Sequence, residues 1–290
     1  MFAPSFEYYR AKTLNEALAL LRKKKDAKPL AGGHSLLPAM KLRLSSPSAL
    51  VDISRLTALS GIKAGKSALK VGALTTHAAI AASKDVKKLC PVLAETAALI
   101  GDLQVRNRGT IGGSLAHADP AADFPTVIVA LGATLEAVGG PGKRQIPAEK
   151  FFKDLFTTAL KPKELLTAIN VPAMKAGTGG AYLKHRHPAS SYAVVGVAAV
   201  VTLKNGACSR VSLVVGGVTP NPLRAKGAEA ALTGKAPTKE NFAAAAEKVA
   251  EAISDPLGDV YASGEYRVHL AKVLTARALA AAAERAKKQK

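Results

Sequence analysis

Apolar and polar positions along the chain lay out a series of short helices and strands. Thr13-Leu14-Asn15-Glu16 is a capping box, in which Thr13 accepts from the Glu16 backbone N–H and the Glu16 carboxylate reaches back to the cap. Leu14, Leu18 and Leu21 then recur at helical spacing. Lys28 to Ala31 reads as a short strand running into Gly32-Gly33, Ala49 to Ile53 as a second strand, and Gly61 to Gly72 as a hairpin turning at Gly65-Lys66. Thr75 to Ala82 and Pro91 to Ile100 read as helices, the second with proline in its first turn, where no N–H is needed. A Gly/Pro turn falls between Gly139 and Arg144, and a strand spans Ala168 to Val171. Thr178-Gly179-Gly180 is the clearest candidate domain boundary. Beyond it, Ser190 to Leu203 and Val211 to Val218 flank Lys204-Asn205-Gly206, and Asn-Gly favours a tight hairpin because both central residues take positive φ. Two helices close the chain. One runs from Lys239 to Ile253, and one from Glu265 onward with Tyr266, Leu270, Val273 and Leu274 on one face. Helices and strands without strict alternation predict an α+β fold.

Composition narrows the function classes. With 48% hydrophobic and 21% charged residues in 290, the chain has ample material for a core and lies far from disordered compositions. The longest apolar stretch, Ala193 to Leu203, ends at Lys204, well short of the roughly 20 residues of a membrane-spanning helix. The N-terminal residues show no basic region followed by an apolar one, so a cytoplasmic location is expected, with peripheral attachment to the inner membrane face left open. Lys and Arg number 41 against 21 Asp and Glu, a formal charge of +20. The basic runs are scattered: Arg22-Lys23-Lys24-Lys25 ends a helix, Lys84 to Lys88 is a second run, and Lys287-Lys288-Gln289-Lys290 forms the tail. Cations at helix C-termini complement the macrodipole. Aromatic residues are 4% and tryptophan is absent, so the stacking platform of a single-strand nucleic-acid binder is missing. Two cysteines, Cys90 and Cys208, cannot supply the four thiolates of an iron–sulfur cluster. His117 has no second histidine nearby in sequence, and no metal site is expected.

Two glycine segments carry the candidate chemistry. In Leu30-Ala31-Gly32-Gly33-His34-Ser35-Leu36 a glycine pair directly follows a strand, where backbone N–H groups approach an anion without Cβ interference and Ser35 adds a hydroxyl. Thr110-Ile111-Gly112-Gly113-Ser114 repeats the pattern, and two convergent loops of N–H groups would clamp a diphosphate from both sides. Neither has the spacing of a Rossmann dinucleotide loop. Downstream stand Asp119, which beside Pro120 reads as a turn residue, and Asp123; a carboxylate following a phosphate loop can accept from ribose or ribityl hydroxyls.

The strings Ala31 to Lys41 and Gln104 to Ser114 resemble the FAD-binding medium subunit of molybdenum hydroxylases, the carbon monoxide dehydrogenase, aldehyde oxidoreductase and xanthine dehydrogenase group. Phe6-Glu7-Tyr8, Lys163-Glu164-Leu165-Leu166 and Ala262 to Leu270 fit the same pattern, so the resemblance covers nearly the whole chain. It implies a two-subdomain, PCMH-type FAD-binding domain at 1–176, divided near 57/58, and a C-terminal domain at 177–290 with a three-stranded antiparallel sheet and helices. It further implies FAD diphosphate contacts from Gly32, Gly33, His34, Ser35 and Leu36 and from Thr110, Ile111, Gly112, Gly113, Ser114 and Leu115. Asp123 would lie near the ribityl chain or ring, and Leu166, Lys184 and Tyr192 would border the flavin. An acidic residue commonly precedes that aromatic in the family, where this chain has Ser191.

The function implied is electron transfer: an iron–sulfur small subunit passes electrons to FAD on this chain, and a molybdopterin-binding large subunit oxidises the substrate, in a dimer of heterotrimers that serves an external acceptor. No side chain is expected to act as a general acid or base. A stand-alone FAD-dependent oxidase or reductase and a flavin-free scaffold are the alternatives. Substrate and final acceptor are not readable. Gly33→Val and Gly112→Val are both expected to abolish FAD retention by blocking the approach of the backbone.

Overall fold

The computed structural model describes residues 1–140 and 142–289, so Pro141 of the Gly139–Arg144 turn and Lys290 of the basic tail lie outside the described residues. Three main β-sheets, each with its own helices, follow one another along the chain, with a two-stranded ribbon of Phe152–Asp154 and Thr157–Thr158 beside the second.

The first sheet is parallel, with Ala49–Asp52 between Glu7–Arg10 and Ala27–Leu30. The strand Glu7–Arg10 was not read from the sequence, because four mostly exposed residues leave no alternating pattern. Parallel neighbours need a crossover, and the helix Leu14–Lys23 supplies one, burying Ala17, Leu18 and Leu21 against the sheet. Its capping box forms with one change: Glu16 N–H donates to Thr13 Oγ1 at 3.1 Å, while the Glu16 carboxylate accepts from Lys12 N–H, one residue before the cap.

The second sheet has the order Ile62–Ala64, Ala68–Gly72, Leu165–Pro172, Thr134–Gly139, Gly142–Pro147, all antiparallel. Six helices, from His77–Ala82 to Asp123–Ala130, lie in sequence between the strands Ala68–Gly72 and Thr134–Gly139. Phe124, Ile128, Leu93, Ile111, Leu115 and Ile169 form the centre of the core they share with the sheet.

The third sheet joins Thr178–Arg186, Ala193–Lys204 and Ala207–Gly216 as an antiparallel meander, extended by a two-residue fourth strand, Leu223–Arg224. Asn205 (φ +52°) and Gly206 (φ +78°) make the expected hairpin turn. Gly179 and Gly180 are not a linker. They open the strand Thr178–Arg186, where a side chain on Gly179 would collide with the backbone of Ala282 and Ala286 in the helix Gly264–Lys288. That helix buries Arg267, Ala271, Leu274, Ala278 and Ala282 and leaves Tyr266 exposed, so its inner face is turned from the stripe read in the sequence. Arg267 belongs inside because its guanidinium donates to Val194 O at 2.6 Å, Gly217 O at 2.7 Å and Asp259 Oδ2 at 2.6 Å.

Candidate functional site

The Gly32–Leu36 segment lies just beyond the carboxyl end of the parallel strand Ala27–Leu30, the edge at which open α/β sheets bind ligands. Gly33 has φ +77°, and a Cβ there would also meet Leu37 Cδ1 at 3.0 Å, so the turn requires glycine. Among the described residues, none of the five consecutive N–H groups from Gly32 to Leu36 donates to the protein, and the first that does is Leu37, to Gly33 O. The His34 ring donates from Nδ1 to Gly32 O at 2.9 Å and braces the turn. Five adjacent, unpaired donors form a concave nest for an anion.

The second glycine segment behaves differently. It is a helix, Ile111–His117, not a loop, and its donors are spent within the protein. Ile111 N–H goes to Thr75 O, Gly112 N–H to Ala73 O at 2.8 Å, Gly113 N–H to Thr110 Oγ1 and Ser114 N–H to Thr110 O. The two-sided clamp of free N–H groups is therefore corrected to a one-sided nest facing a wall. Gly112 is glycine because a Cβ would run into Ala73, and the side chains of Ile111 and Leu115 are fully buried in the core. Gly32 packs so closely on the Arg108 carbonyl that a Cβ has no room, while Gly113 looks toward Ala31. A cavity of about 100 Å³ remains between the segments, lined by Gly32, Ser54, Thr76, Asn107, Arg108 and Thr110 among others. Ser54 and Thr76 were not singled out in the sequence, and Asn107 and Arg108 stand in the Gln104–Ser114 string without a site role assigned to them; only the folded chain brings all four beside Gly32.

The third wall comes from the C-terminal sheet. Asp123, the first residue of the helix Asp123–Ala130, is buried, and Lys184 Nζ contacts its Oδ1 at 2.9 Å and its Oδ2 at 3.0 Å. Tyr182 OH donates to Asp123 Oδ1 at 2.7 Å. Burial pushes the Asp123 carboxyl up, opposed by the Lys184 ammonium and the Tyr182 phenol. Burial, and then the Asp123 charge, hold the Tyr182 phenol well above its ordinary value, so it remains a donor. Lys184 also donates to Ser191 O at 2.8 Å and so holds the 187–192 loop. Tyr192 on that loop faces Ser35 of the nest, and its phenol is pushed up by burial and by Asp119. Asp119 itself accepts from Ala121 N–H at 2.9 Å, an Asx turn, in line with its reading as a turn residue. The structure thus links the buried Asp123–Lys184 pair to the Tyr192 loop and sets Tyr192 beside Ser35, while neither Asp123 nor Lys184 lines the cavity beside Gly32. Leu166, 6% exposed, sits in the core behind it.

His77 is a residue the sequence did not mark. It is 4% exposed, tilted against Phe124 with ring centroids 5.2 Å apart, and its Nδ1 has no partner among the described residues. Burial, and secondarily the nearby His34, lower it to about 4, so it is neutral at pH 7. The donor set fits FAD: a row of amides and the Ser35 hydroxyl suit a diphosphate, and an aromatic residue, Tyr192, stands beside Ser35.

Comparison with known proteins agrees with this geometry. The family described as the FAD binding domain in molybdopterin dehydrogenase matches residues 4–174, and the CO dehydrogenase flavoprotein C-terminal domain matches residues 180–282. The chain is 42% identical over 283 residues to the carbon monoxide dehydrogenase medium chain of Hydrogenophaga pseudoflava, covering 97% of this chain and 98% of that one. It is 40% identical over 278 residues to the glyceraldehyde dehydrogenase medium chain of Sulfolobus acidocaldarius, covering 96% and 98%. Its fold is similar to that in the structure of the Hydrogenophaga pseudoflava carbon monoxide dehydrogenase lacking the Mo-pyranopterin moiety, with a TM-score of 0.95 over 98% of this chain and 99% of that chain at 44% identity. An anion nest at the end of a parallel strand and these full-length matches lead to one conclusion: the chain belongs to the FAD-binding medium subunits of the molybdenum hydroxylases.

Proposed function

We propose that this chain is the electron-transfer subunit of a molybdenum-containing dehydrogenase, holding FAD between the Gly32–Leu36 nest and the C-terminal sheet. Its partners are an iron–sulfur small subunit and a molybdopterin-binding large subunit, assembled as a dimer of heterotrimers. We divide the chain at 57/58 and 176/177, so that each unit carries one of the three main sheets.

When bound, FAD supplies an acceptor that takes electrons singly and passes them on in pairs. The chain's own residues bind and orient it. Gly32, Gly33, His34, Ser35 and Leu36 would donate to the diphosphate, and the Thr110 cap with Ile111 to Leu115 of the following helix would face it, Ser114 bringing a hydroxyl that has no partner among the described residues. Asp123 and Lys184 act as a pair that fixes the floor of the cleft and the Tyr192 loop, while Leu166 backs the ring site. No side chain serves as a general acid or base. Oriented amides in a partly dry cleft favour negative charge at fixed places, and that is the chain's electrostatic contribution.

The substrate is not set here. Identities of 42% and 40% to medium chains named for carbon monoxide and for glyceraldehyde leave substrate choice to the large subunit. No helix among the described residues is long and apolar enough to cross a membrane. We place the complex in the cytoplasm, where two unpaired, buried cysteines are at home and the +20 charge would hold it against an anionic membrane face.

The observation that carries the proposal is the row of five unpaired N–H groups. Titrating the flavin-depleted chain with FAD tests it, with riboflavin, which lacks phosphates, as the comparison. One FAD bound per chain, with riboflavin at least about tenfold weaker, is expected; equal affinity for the two would contradict it.

A further inference from the structure

Asp123, the carboxylate expected near the ribityl chain, has nothing left to offer a ligand. It is 5% exposed, Tyr182 OH and Lys184 Nζ occupy its Oδ1, and Lys184 Nζ also holds its Oδ2. A hydroxyl could reach it only by displacing a buried ion pair. A few residues earlier a second carboxylate stands in the opposite condition. Asp119 is half-buried, its Oδ1 accepts from Ala121 N–H at 2.9 Å, and its Oδ2 has no partner among the described residues.

The position of Asp119 is fixed by the backbone around it. Ala118, in a left-handed conformation at φ +52°, ends the helix Ile111–His117 and turns the chain just before Asp119. Ala122 N–H donates to Asp119 O at 3.0 Å and closes the turn. Ala121 O accepts from Ala193 N–H at 3.1 Å, which ties this turn to the residue after Tyr192. The Asp119 turn and the Tyr192 loop therefore form one wall, and on it the Tyr192 phenol meets Ser35 of the nest. The Asp119 charge reaches both of its flanks. It adds to burial in pushing the Tyr192 phenol up, and it opposes the burial that lowers His117, whose ring packs on Phe156 with centroids 5.1 Å apart.

A diphosphate needs donors and is repelled by a carboxylate, whereas a sugar hydroxyl beside it finds an acceptor there. In FAD the ribityl chain is bonded directly to the diphosphate, so an open carboxylate oxygen one tyrosine away from an anion nest suits its hydroxyls. The same charge keeps a further phosphate from that end of the site, and attraction and repulsion together favour one direction of binding. We infer that Asp119, and not Asp123, is the carboxylate that accepts from the ribityl chain and sets the direction in which FAD lies. The inference rests on the function proposed above and adds the residue that orients the ligand.

The test is Asp119→Asn in the co-expressed complex stripped of flavin. Asparagine keeps the Oδ1 that Ala121 N–H requires, so the turn is retained and the melting temperature is expected to stay at the wild-type value. FAD affinity is expected to fall about tenfold or more, the effect of losing a hydrogen bond to a charged acceptor. ADP, which has the diphosphate and lacks the ribityl chain, is expected to compete at least as well as in the wild type. The visible bands of the bound flavin are expected not to move, because the contact is to the chain and not to the ring. Unchanged FAD affinity overturns the inference, as does an equal loss for ADP or a shift of the flavin bands. A wild-type complex that binds no FAD would instead overturn the functional reading itself, which separates the two failures.

Discussion

Lys184 and Asp123, from two different domains and 61 residues apart, form a buried ion pair in which one ammonium contacts both carboxylate oxygens. Lys184 also holds Ser191 O, so the pair connects the first turn of a core helix to the loop that carries Tyr192 over the nest. A pair of this kind contributes position more than stability, because desolvation of the two charges offsets their attraction.

Breaking one side should be costly. Lys184→Met leaves the Asp123 carboxylate buried without its counter-ion, and a loss of about 3–5 kcal/mol is expected. Asp123→Asn combined with Lys184→Met should recover most of that loss. Urea denaturation of the single and double variants checks this, and a double variant as unstable as the single would contradict the pairing.

The two glycine segments should fail in different ways. Gly33→Val places a branched side chain at φ +77°, a strain of about 1–2 kcal/mol or more confined to the nest, and a folded protein that loses FAD is expected. Gly112→Val drives a side chain into Ala73 under the core helix, so the expected result is loss of folding and not selective loss of flavin. Far-ultraviolet circular dichroism with flavin content separates the outcomes. A well-folded, flavin-free Gly112→Val protein would restore the symmetric clamp.

His77 makes the fold sensitive to acid. It takes up a proton near 6.5 when unfolded but only near about 4 when folded, so as pH falls the unfolded chain binds the proton first. The stability it contributes is complete above about pH 6.5 and is lost progressively down to about pH 4, on the order of 3 kcal/mol in all. His77→Phe, which keeps the ring and removes the proton site, should flatten stability across that window. A slope in this variant equal to that of the wild type would rule His77 out as the cause.

Arg267 ties two strands to the C-terminal helix. Arg267→Met keeps the aliphatic bulk but leaves Val194 O and Gly217 O unpaired in a buried place, each costing about 1–3 kcal/mol. A fall in thermal stability with FAD affinity unchanged is expected, and calorimetry with flavin titration reads both.

Much of the fold was legible in the sequence because its signals were local. The Thr13 cap, the Asn205-Gly206 turn and the apolar runs of the third sheet each depend on near neighbours. The helix Ile111–His117 was hidden by its own glycines, which argue against helix by propensity and are there only because Ala73 and Thr110 press close. The stripe of the last helix differs because Tyr266, read as part of the inner face, is exposed, while Arg267, absent from that stripe, is buried. The pairing that settles it joins Arg267 to carbonyls 50 and 73 residues away. At the site, Gly33 and Ser35 were readable from the strand–glycine pattern. Tyr182 was not, although two positions before Lys184 on one strand places both on the same face.

The central claim is that this chain carries FAD as the electron-transfer subunit of a larger complex. Its most direct test is the visible spectrum of the purified complex, recorded anaerobically before and after a small-molecule reductant and again after acid release of the cofactor. One FAD released per medium chain, with flavin bands that bleach on reduction beside broad iron–sulfur absorption, is the expected result. An intact complex that releases no FAD, or whose flavin stays oxidised while the iron–sulfur absorption bleaches, would contradict the account.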